Sequence, residues 1–187
     1  MTGLIQSSKV VSTRTDHGFV IGVPDRGRIV IDDMALEDDA LWPTDGDVLL
    51  RQAARSGPLR VVCPFPEASR RTAVANLGLS AVETWWHRDL EPDPAPADTS
   101  GESRLVVEGA AARLVSAPPV YALGGPVLLI TTVATASALG EIERAARRRG
   151  SVVAVVSQQP GDQLTADLLK SAGYKRTTDF FEGSVVS

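Results

Sequence analysis

The sequence contains few of the residues that build disulfides, metal sites and membrane spans. It has one cysteine, Cys63, and two histidines in 187 residues, which excludes an internal disulfide and a zinc cluster. The longest apolar stretch, Pro126–Ile130, is far shorter than the ~20 residues that a membrane helix needs. The N-terminal segment lacks the apolar core of a signal peptide. We therefore expect a cytoplasmic protein.

Positive charge is also scarce and dispersed. The chain has 19 Lys and Arg against 23 Asp and Glu, a formal net charge of -4, and no basic tract that could follow a phosphate backbone. The acidic residues lack the spacing of a calcium loop. We expect no nucleic acid, no membrane and no metal as partners. The 43% of apolar residues is typical of a packed globular chain.

Two segments of the chain resemble each other, which indicates an internal duplication. The matched positions, first copy then second, are Ala53-Ala54-Arg55 and Ala145-Ala146-Arg147, Val61-Val62 and Val155-Val156, Gly78 and Gly173, and Trp85-Trp86 and Phe180-Phe181. The glycines and the aromatic pairs both lie 95 residues apart. Alternating prolines between the copies favour an extended spacer. We predict a first half at residues 1–92, a Pro-rich linker at 93–102 and a second half at 103–187.

Turn residues and apolar periodicity predict the same elements in both copies. Gly18–Gly22 and Arg28–Met34 flank a Pro-Asp turn and predict a β-hairpin, and Asp45 or Asp47 is expected to cap a helix that ends before Gly57. The other predicted elements are strands at Arg60–Cys63, Ala81–Arg88, Arg104–Glu108, Ala112–Ser116, Pro126–Val133, Val152–Val156 and Arg176–Phe181, and helices at Glu67–Leu77, Ser137–Arg149 and Asp162–Ala172. The unbroken apolar run VVAVV is typical of a strand covered on both faces. We expect an α/β fold with a mixed sheet.

The end of each copy resembles the GNAT acyltransferase superfamily. The segments LLKSAGYKRTTDFF and LGLSAVETWW both place an aromatic strand after a helix-ending glycine, as that superfamily does. The resemblance implies a GNAT-like acyl-CoA N-acyltransferase sandwich with an internal duplication. It also implies acetyl-CoA as cofactor and a small-molecule or peptide amine as acceptor, and a homodimer stays open. Because each copy is shorter than a complete domain of that superfamily, either two tandem halves pack about a pseudo-two-fold axis or both complete one sandwich.

The resemblance implies that the cofactor pyrophosphate binds backbone N–H groups at a helix start. In the first copy the loop Ala35–Asp47 carries five acidic residues and no cation. A carboxylate about 4 Å from a phosphate repels it by ~1 kcal/mol in water and ~4 kcal/mol at an effective dielectric of 20, more than the ~0.3–1 kcal/mol gained from the helix dipole. In the second copy the loop is neutral, and Thr135, Ser137 and Gly140 are the candidate cofactor-binding residues. The same loop is also typical of an ordinary helix cap.

The catalytic residues implied by the resemblance are partly missing. A tyrosine of that superfamily, four residues before the helix-ending glycine, protonates the leaving thiolate, but Leu169 and Val74 stand there. Tyr121, in a glycine-flanked loop, is the candidate general acid, with a plain hairpin connection as the alternative. His87 is the candidate general base, with an exposed strand-end histidine as the alternative. Two functions stay open: an N-acetyltransferase acting on an unidentified amine, and a non-catalytic GNAT-like scaffold that binds a ligand or protein partner.

Overall fold

The computed structural model describes residues 10–91, 93, 103–116 and 125–185. In the first copy the elements are β1 (Val11–Thr15), β2 (Gly18–Asp25), β3 (Arg28–Leu36), α1 (Asp47–Ala54), β4 (Leu59–Pro64), α2 (Ala68–Asn76) and β5 (Ser80–Asp89). In the second copy they are β6 (Arg104–Val107), β7 (Ala110–Val115), β8 (Val127–Val133), α3 (Ala136–Arg147), β9 (Val153–Gln158), α4 (Gln163–Ser171) and β10 (Lys175–Gly183). The order of elements is thus the same in both copies. The predicted hairpin, strands and helices are confirmed within a few residues, whereas β1 was not predicted.

The chain forms two compact units. Unit 1 comprises Met1–Val82 and Thr178–Ser187, and unit 2 comprises Glu83–Thr177. Strands β1-β2-β3-β4-β10 are neighbours in unit 1, and β6-β7-β8-β9-β5 are neighbours in unit 2. Among the strands that the structure describes, each unit has one parallel pair, β3 with β4 in unit 1 and β8 with β9 in unit 2. The predicted halves follow the repeat along the chain, whereas the compact units exchange their last strands, β5 and β10. The predicted linker, apart from Asp93, lies outside the described residues.

Both helices of a unit contribute to one core with alternate strand residues. In unit 1 the β4 residues Leu59, Val61 and Cys63 are buried together with Leu49 of α1 and Val74 of α2. Burial raises the pKa of the Cys63 thiol to about 12, so this thiol stays protonated and unreactive. No helix among the described residues is long and apolar enough to cross a membrane.

The structure also sets the register of the repeat. Val61 pairs with Ile31 and Val156 pairs with Ile130, and all four side chains are buried in the helix-covered cores. Val61 therefore corresponds to Val156, one residue later than the sequence match to Val155. The run VVAVV is apolar at every position, so its sequence does not show which residues face the helices.

The start of α1 differs from the prediction. A π-helical turn, Trp42–Gly46, leads directly into α1 at Asp47, and no side chain caps the helix. The Asp47 N–H bonds to the Thr44 carbonyl, so the preceding turn already supplies an acceptor. The Asp47 carboxylate instead accepts a hydrogen bond from Arg51 Nε at 2.8 Å. The predicted capping role of Asp45 or Asp47 is therefore wrong.

Candidate functional site

The parallel ladder of each unit ends before its two strands do. β8 and β9 pair from Val127–Ile130 to Val153–Val156, but both strands continue past this ladder. We call the gap between residues 131–133 and 157–158 the unit 2 opening. The backbone groups along such diverging edges need hydrogen-bond partners, and ligands of α/β sheets bind outside the carboxyl ends of strands.

Unit 1 has an equivalent gap. β3 and β4 pair only from Ile29–Ile31 to Leu59–Val61, and both strands again continue past the ladder. We call the gap between residues 32–36 and 62–64 the unit 1 opening. The two openings occupy the same position in the repeated strand order, and they differ in the residues around them.

The unit 2 opening leads along the chain into the first turn of α3. Thr135 is the N-cap of this helix, and its hydroxyl accepts a hydrogen bond from the Ala138 N–H at 3.1 Å. Thr135 and Ser137 are both exposed. Thr135 thus fills the capping role that the sequence left as one alternative, while the exposed helix start has N–H donors of the kind that attract anions.

Gly140 lies in the second turn of α3. A Cβ atom at this position would meet no atom within 4 Å, so the packing of the described residues does not require a glycine here. Glycine in a helix interior costs ~1 kcal/mol relative to alanine. No packing contact among the described residues offsets this cost.

The corresponding segment of unit 1 is acidic and exposed. Glu37, Asp38 and Asp39 are all exposed, and the Asp38 carboxylate caps a short 3-10 turn by accepting a hydrogen bond from the Ala40 N–H at 2.8 Å. Three carboxylates before a helix start oppose an anionic ligand. The loop that leads into α3 has no acidic residue from Thr131 to Gly140.

Arg70 of α2 lies across the unit 1 opening. Its guanidinium donates to the Met34 carbonyl of β3 at 2.8 Å and to the Val62 carbonyl of β4 at 3.4 Å. Its Nε lies 2.7 Å from a Glu67 carboxylate oxygen, and the group lies over the Trp42 ring, 5.1 Å from its centroid. One side chain thus joins the two diverging strands. No local sequence signal marks Arg70 for this contact.

His87, the candidate base, lies on β5 opposite Val155 of β9. Its ring lies 6.3 Å from the Trp85 ring, on the same face of the strand. Burial lowers the pKa of His87, and the nearby Asp89 partly opposes this effect. Its Nε2 atom is buried and has no hydrogen-bond partner among the described atoms. Burial therefore favours the neutral form of the ring, and the side chain is half-buried.

Beside His87 lies a polar cluster that the sequence analysis missed. One Glu83 oxygen accepts hydrogen bonds from Trp85 Nε1 at 2.7 Å and from the Ser157 hydroxyl at 2.6 Å. Ser157 directly follows Val156, the last β9 residue paired with β8, so the cluster borders the unit 2 opening. The alternation of Glu83, Trp85 and His87 along one strand was the available signal, because residues two apart share a face.

The positions implied for the family's tyrosine are core positions. Leu169 and Val74 are both fully buried and hold no titratable group. Tyr174 donates its hydroxyl hydrogen to Glu143 at 2.7 Å, and burial together with this carboxylate raises the pKa of Tyr174, which makes it a structural residue. Tyr121 lies outside the described residues.

Neither a protein-family model nor a curated protein matches the sequence. A GCN5-related N-acetyltransferase from Sphaerobacter thermophilus matches the structure with a TM-score of 0.57 and 11% identity, over 91% of this chain and 78% of that protein. A GCN5-related N-acetyltransferase from Kribbella flavida gives a TM-score of 0.49 and 12% identity, over 99% and 92%. The likeness to the Sphaerobacter protein shows that the chain has the fold of these acetyltransferases.

Proposed function

We propose that the chain, which has the GNAT fold, is an N-acyltransferase that transfers an acyl group from acetyl-CoA to an amine, with its cofactor in the unit 2 opening. The observation that carries this proposal is the contrast between the two openings. No hydrogen bond between described residues joins 131–133 to 157–158, whereas Arg70 joins the strands of unit 1.

The chemistry of an acyl-CoA suits the unit 2 opening. The pantetheine arm contains two amide groups, which can pair with exposed strand edges as an added strand does. The anionic pyrophosphate suits the exposed start of α3, where Thr135 and Ser137 present hydroxyls. The open space beside Gly140 permits close approach to the helix backbone.

His87 is proposed as the general base for the acceptor. A neutral imidazole can take one proton from the acceptor ammonium, which frees the nitrogen lone pair to attack the thioester carbonyl carbon. The carbon–sulfur bond then breaks, and the proton that the new amide nitrogen loses passes to the thiolate. Tyr121 is the proposed relay for this last transfer: its hydroxyl gives a proton to the thiolate and receives the proton that the amide nitrogen loses, so the products are an amide, free CoA and one proton on His87.

A non-catalytic scaffold is the second candidate, and the fully buried Leu169 and Val74 favour it. Titration of acetyl-CoA into the full chain by calorimetry, followed by thiol release with a panel of primary amines, separates the two. We expect one bound acetyl-CoA per chain, weaker binding at high salt, and thiol release with some amines. Binding without thiol release would indicate a ligand-binding scaffold, and no binding would reject the cofactor proposal.

A further inference from the structure

The Arg70 side chain is buried and contacts both strands that border the unit 1 opening. Its side chain is 9% exposed, and a buried guanidinium is costly unless its charge and its N–H donors have partners. The two terminal nitrogens of Arg70 donate to backbone carbonyls, a Glu67 oxygen lies 2.7 Å from Nε as an ion-pair partner without forming a hydrogen bond, and the group lies over the Trp42 ring. The carbonyls belong to the two strands that diverge, so the side chain satisfies acceptors that the parallel ladder leaves unpaired.

The second copy lacks this arrangement. Thr165 is the third residue of α4, as Arg70 is the third residue of α2. Its hydroxyl donates to Asp162 at 2.6 Å and its N–H donates to the same carboxylate at 3.1 Å. Thr165 therefore completes the helix cap. Its side chain is too short to span the unit 2 opening, so it does not bond to the strand carbonyls there as Arg70 does in unit 1.

We propose that Arg70 is an intramolecular occupant of the unit 1 opening, which closes that opening to acyl-CoA and confines cofactor binding to unit 2. This inference rests on the proposed function for its second half only. Its first half, that the guanidinium fills a space able to take an amide-bearing ligand, concerns unit 1 alone.

The first test introduces an arginine at the equivalent position of unit 2. Thr165→Arg should close the unit 2 opening and weaken acetyl-CoA binding by at least about tenfold. Leu164→Arg is the matched control: it adds the same side chain one residue earlier on α4, where Leu164 is 86% exposed, and it should bind as the parent does. The double variant D162E/T165R copies the Glu67–Arg70 pair and should give the larger loss.

The second test removes the Arg70 guanidinium from the unit 1 opening. The probe is pantetheine, which has the two amide groups but no phosphate for Glu37, Asp38 and Asp39 to repel. In Arg70→Thr, pantetheine should shift the amide NMR signals of residues 31–36 and 61–63, which it should leave unchanged in the parent. Arg51→Thr, an arginine change on the exposed side of α1, is the control. If Arg70→Thr is unstable, Arg70→Met retains the apolar stem and removes the donors.

The outcomes separate the two proposals. Loss of binding in Thr165→Arg together with new unit 1 shifts in Arg70→Thr supports the role of Arg70. A folded Arg70 variant without unit 1 shifts, or a Thr165→Arg variant that binds acetyl-CoA as well as Leu164→Arg, overturns it. A parent that binds neither acetyl-CoA nor pantetheine rejects the proposed function, while the Arg70→Thr arm still decides whether the guanidinium occupies a ligand opening.

Discussion

Gly140 allows helix stability and ligand binding to be separated at one residue. Gly140→Ala adds a methyl group into open space, so the free energy of unfolding should rise by up to ~1 kcal/mol from helix propensity. If acetyl-CoA approaches the α3 backbone here, the same methyl group should weaken its binding. Denaturant unfolding and calorimetry on the same samples measure both effects. Greater stability with unchanged affinity would remove Gly140 from the cofactor site.

His87 gives a pH dependence whose sign follows from its burial. Its pKa lies below the ordinary 6.5 in the folded chain, so the unfolded chain binds more protons between these two values. The stability from the neutral ring is therefore complete above pH 6.5 and is lost as the pH falls towards the folded pKa.

His87→Gln should remove this dependence. In urea titrations from pH 7.5 to 5.5, the parent should lose more unfolding free energy than His87→Gln does. Parallel curves for the parent and His87→Gln would contradict the buried, neutral ring.

The two tyrosines should respond oppositely to loss of their hydroxyl groups. Tyr174→Phe leaves the buried Glu143 without one donor, so the free energy of unfolding should fall by about 1–3 kcal/mol with little change in turnover per folded molecule. Tyr121→Phe should keep stability and lower thiol release by roughly 10²–10⁴-fold if Tyr121 is the general acid. Unchanged thiol release in Tyr121→Phe would exclude that role.

Individual residues differed in how far the sequence could assign them. The candidate roles of Thr135 and His87 depended on local chain signals, a cap before a helix and a histidine on a strand. The role of Arg70 could not be assigned in this way, because it depends on hydrogen bonds to the carbonyls of Met34 and Val62, which lie 36 and 8 residues away in the sequence. Charge on a helix is more often solvated than buried, so the sequence alone favoured the ordinary interpretation.

At the scale of elements, strands and helices followed from periodicity and from the glycines that end them. The glycines that close α2 and α4, Gly78 and Gly173, have φ angles of 87° and 82°, a backbone conformation that few other residues adopt. Elements without such signals were less predictable. β1 has an alternating but short and polar sequence, and the turn before α1 is helical without a capping residue.

Strand pairing was beyond local sequence signals. Both β5 and β10 follow a glycine and contain two adjacent aromatic residues. Their sequences therefore do not indicate which of them pairs with β4 and which with β9. β10 pairs with β4 along Thr178–Gly183, and β5 pairs with β9 along Thr84–Asp89. Each copy therefore provides the last strand of the other unit.

This exchange predicts that neither half folds alone. A fragment of residues 1–92 lacks the β10 residues that pair with β4, and a fragment of 103–187 lacks the β5 residues that pair with β9. Each fragment should show poorly dispersed NMR spectra, and mixing the two should restore the dispersion of the full chain. A fragment of residues 1–92 that unfolds cooperatively by itself would contradict the exchanged pairing.

For the molecule as a whole, the repeat predicts two equivalent openings, and the residues around them make the openings unequal. Acidic residues and Arg70 surround the unit 1 opening, whereas a neutral helix start with Gly140 follows the unit 2 opening. This difference is the basis of our proposal that the cofactor binds in unit 2.

The most direct measurement is amide chemical-shift mapping of acetyl-CoA on the isotope-labelled full chain. We expect shifts at residues 131–140 and at Ser157 in unit 2, with residues 31–39 and 61–63 of unit 1 unchanged. Shifts confined to residues 36–47, or no shifts at acetyl-CoA concentrations well above those in cells, would contradict this expectation.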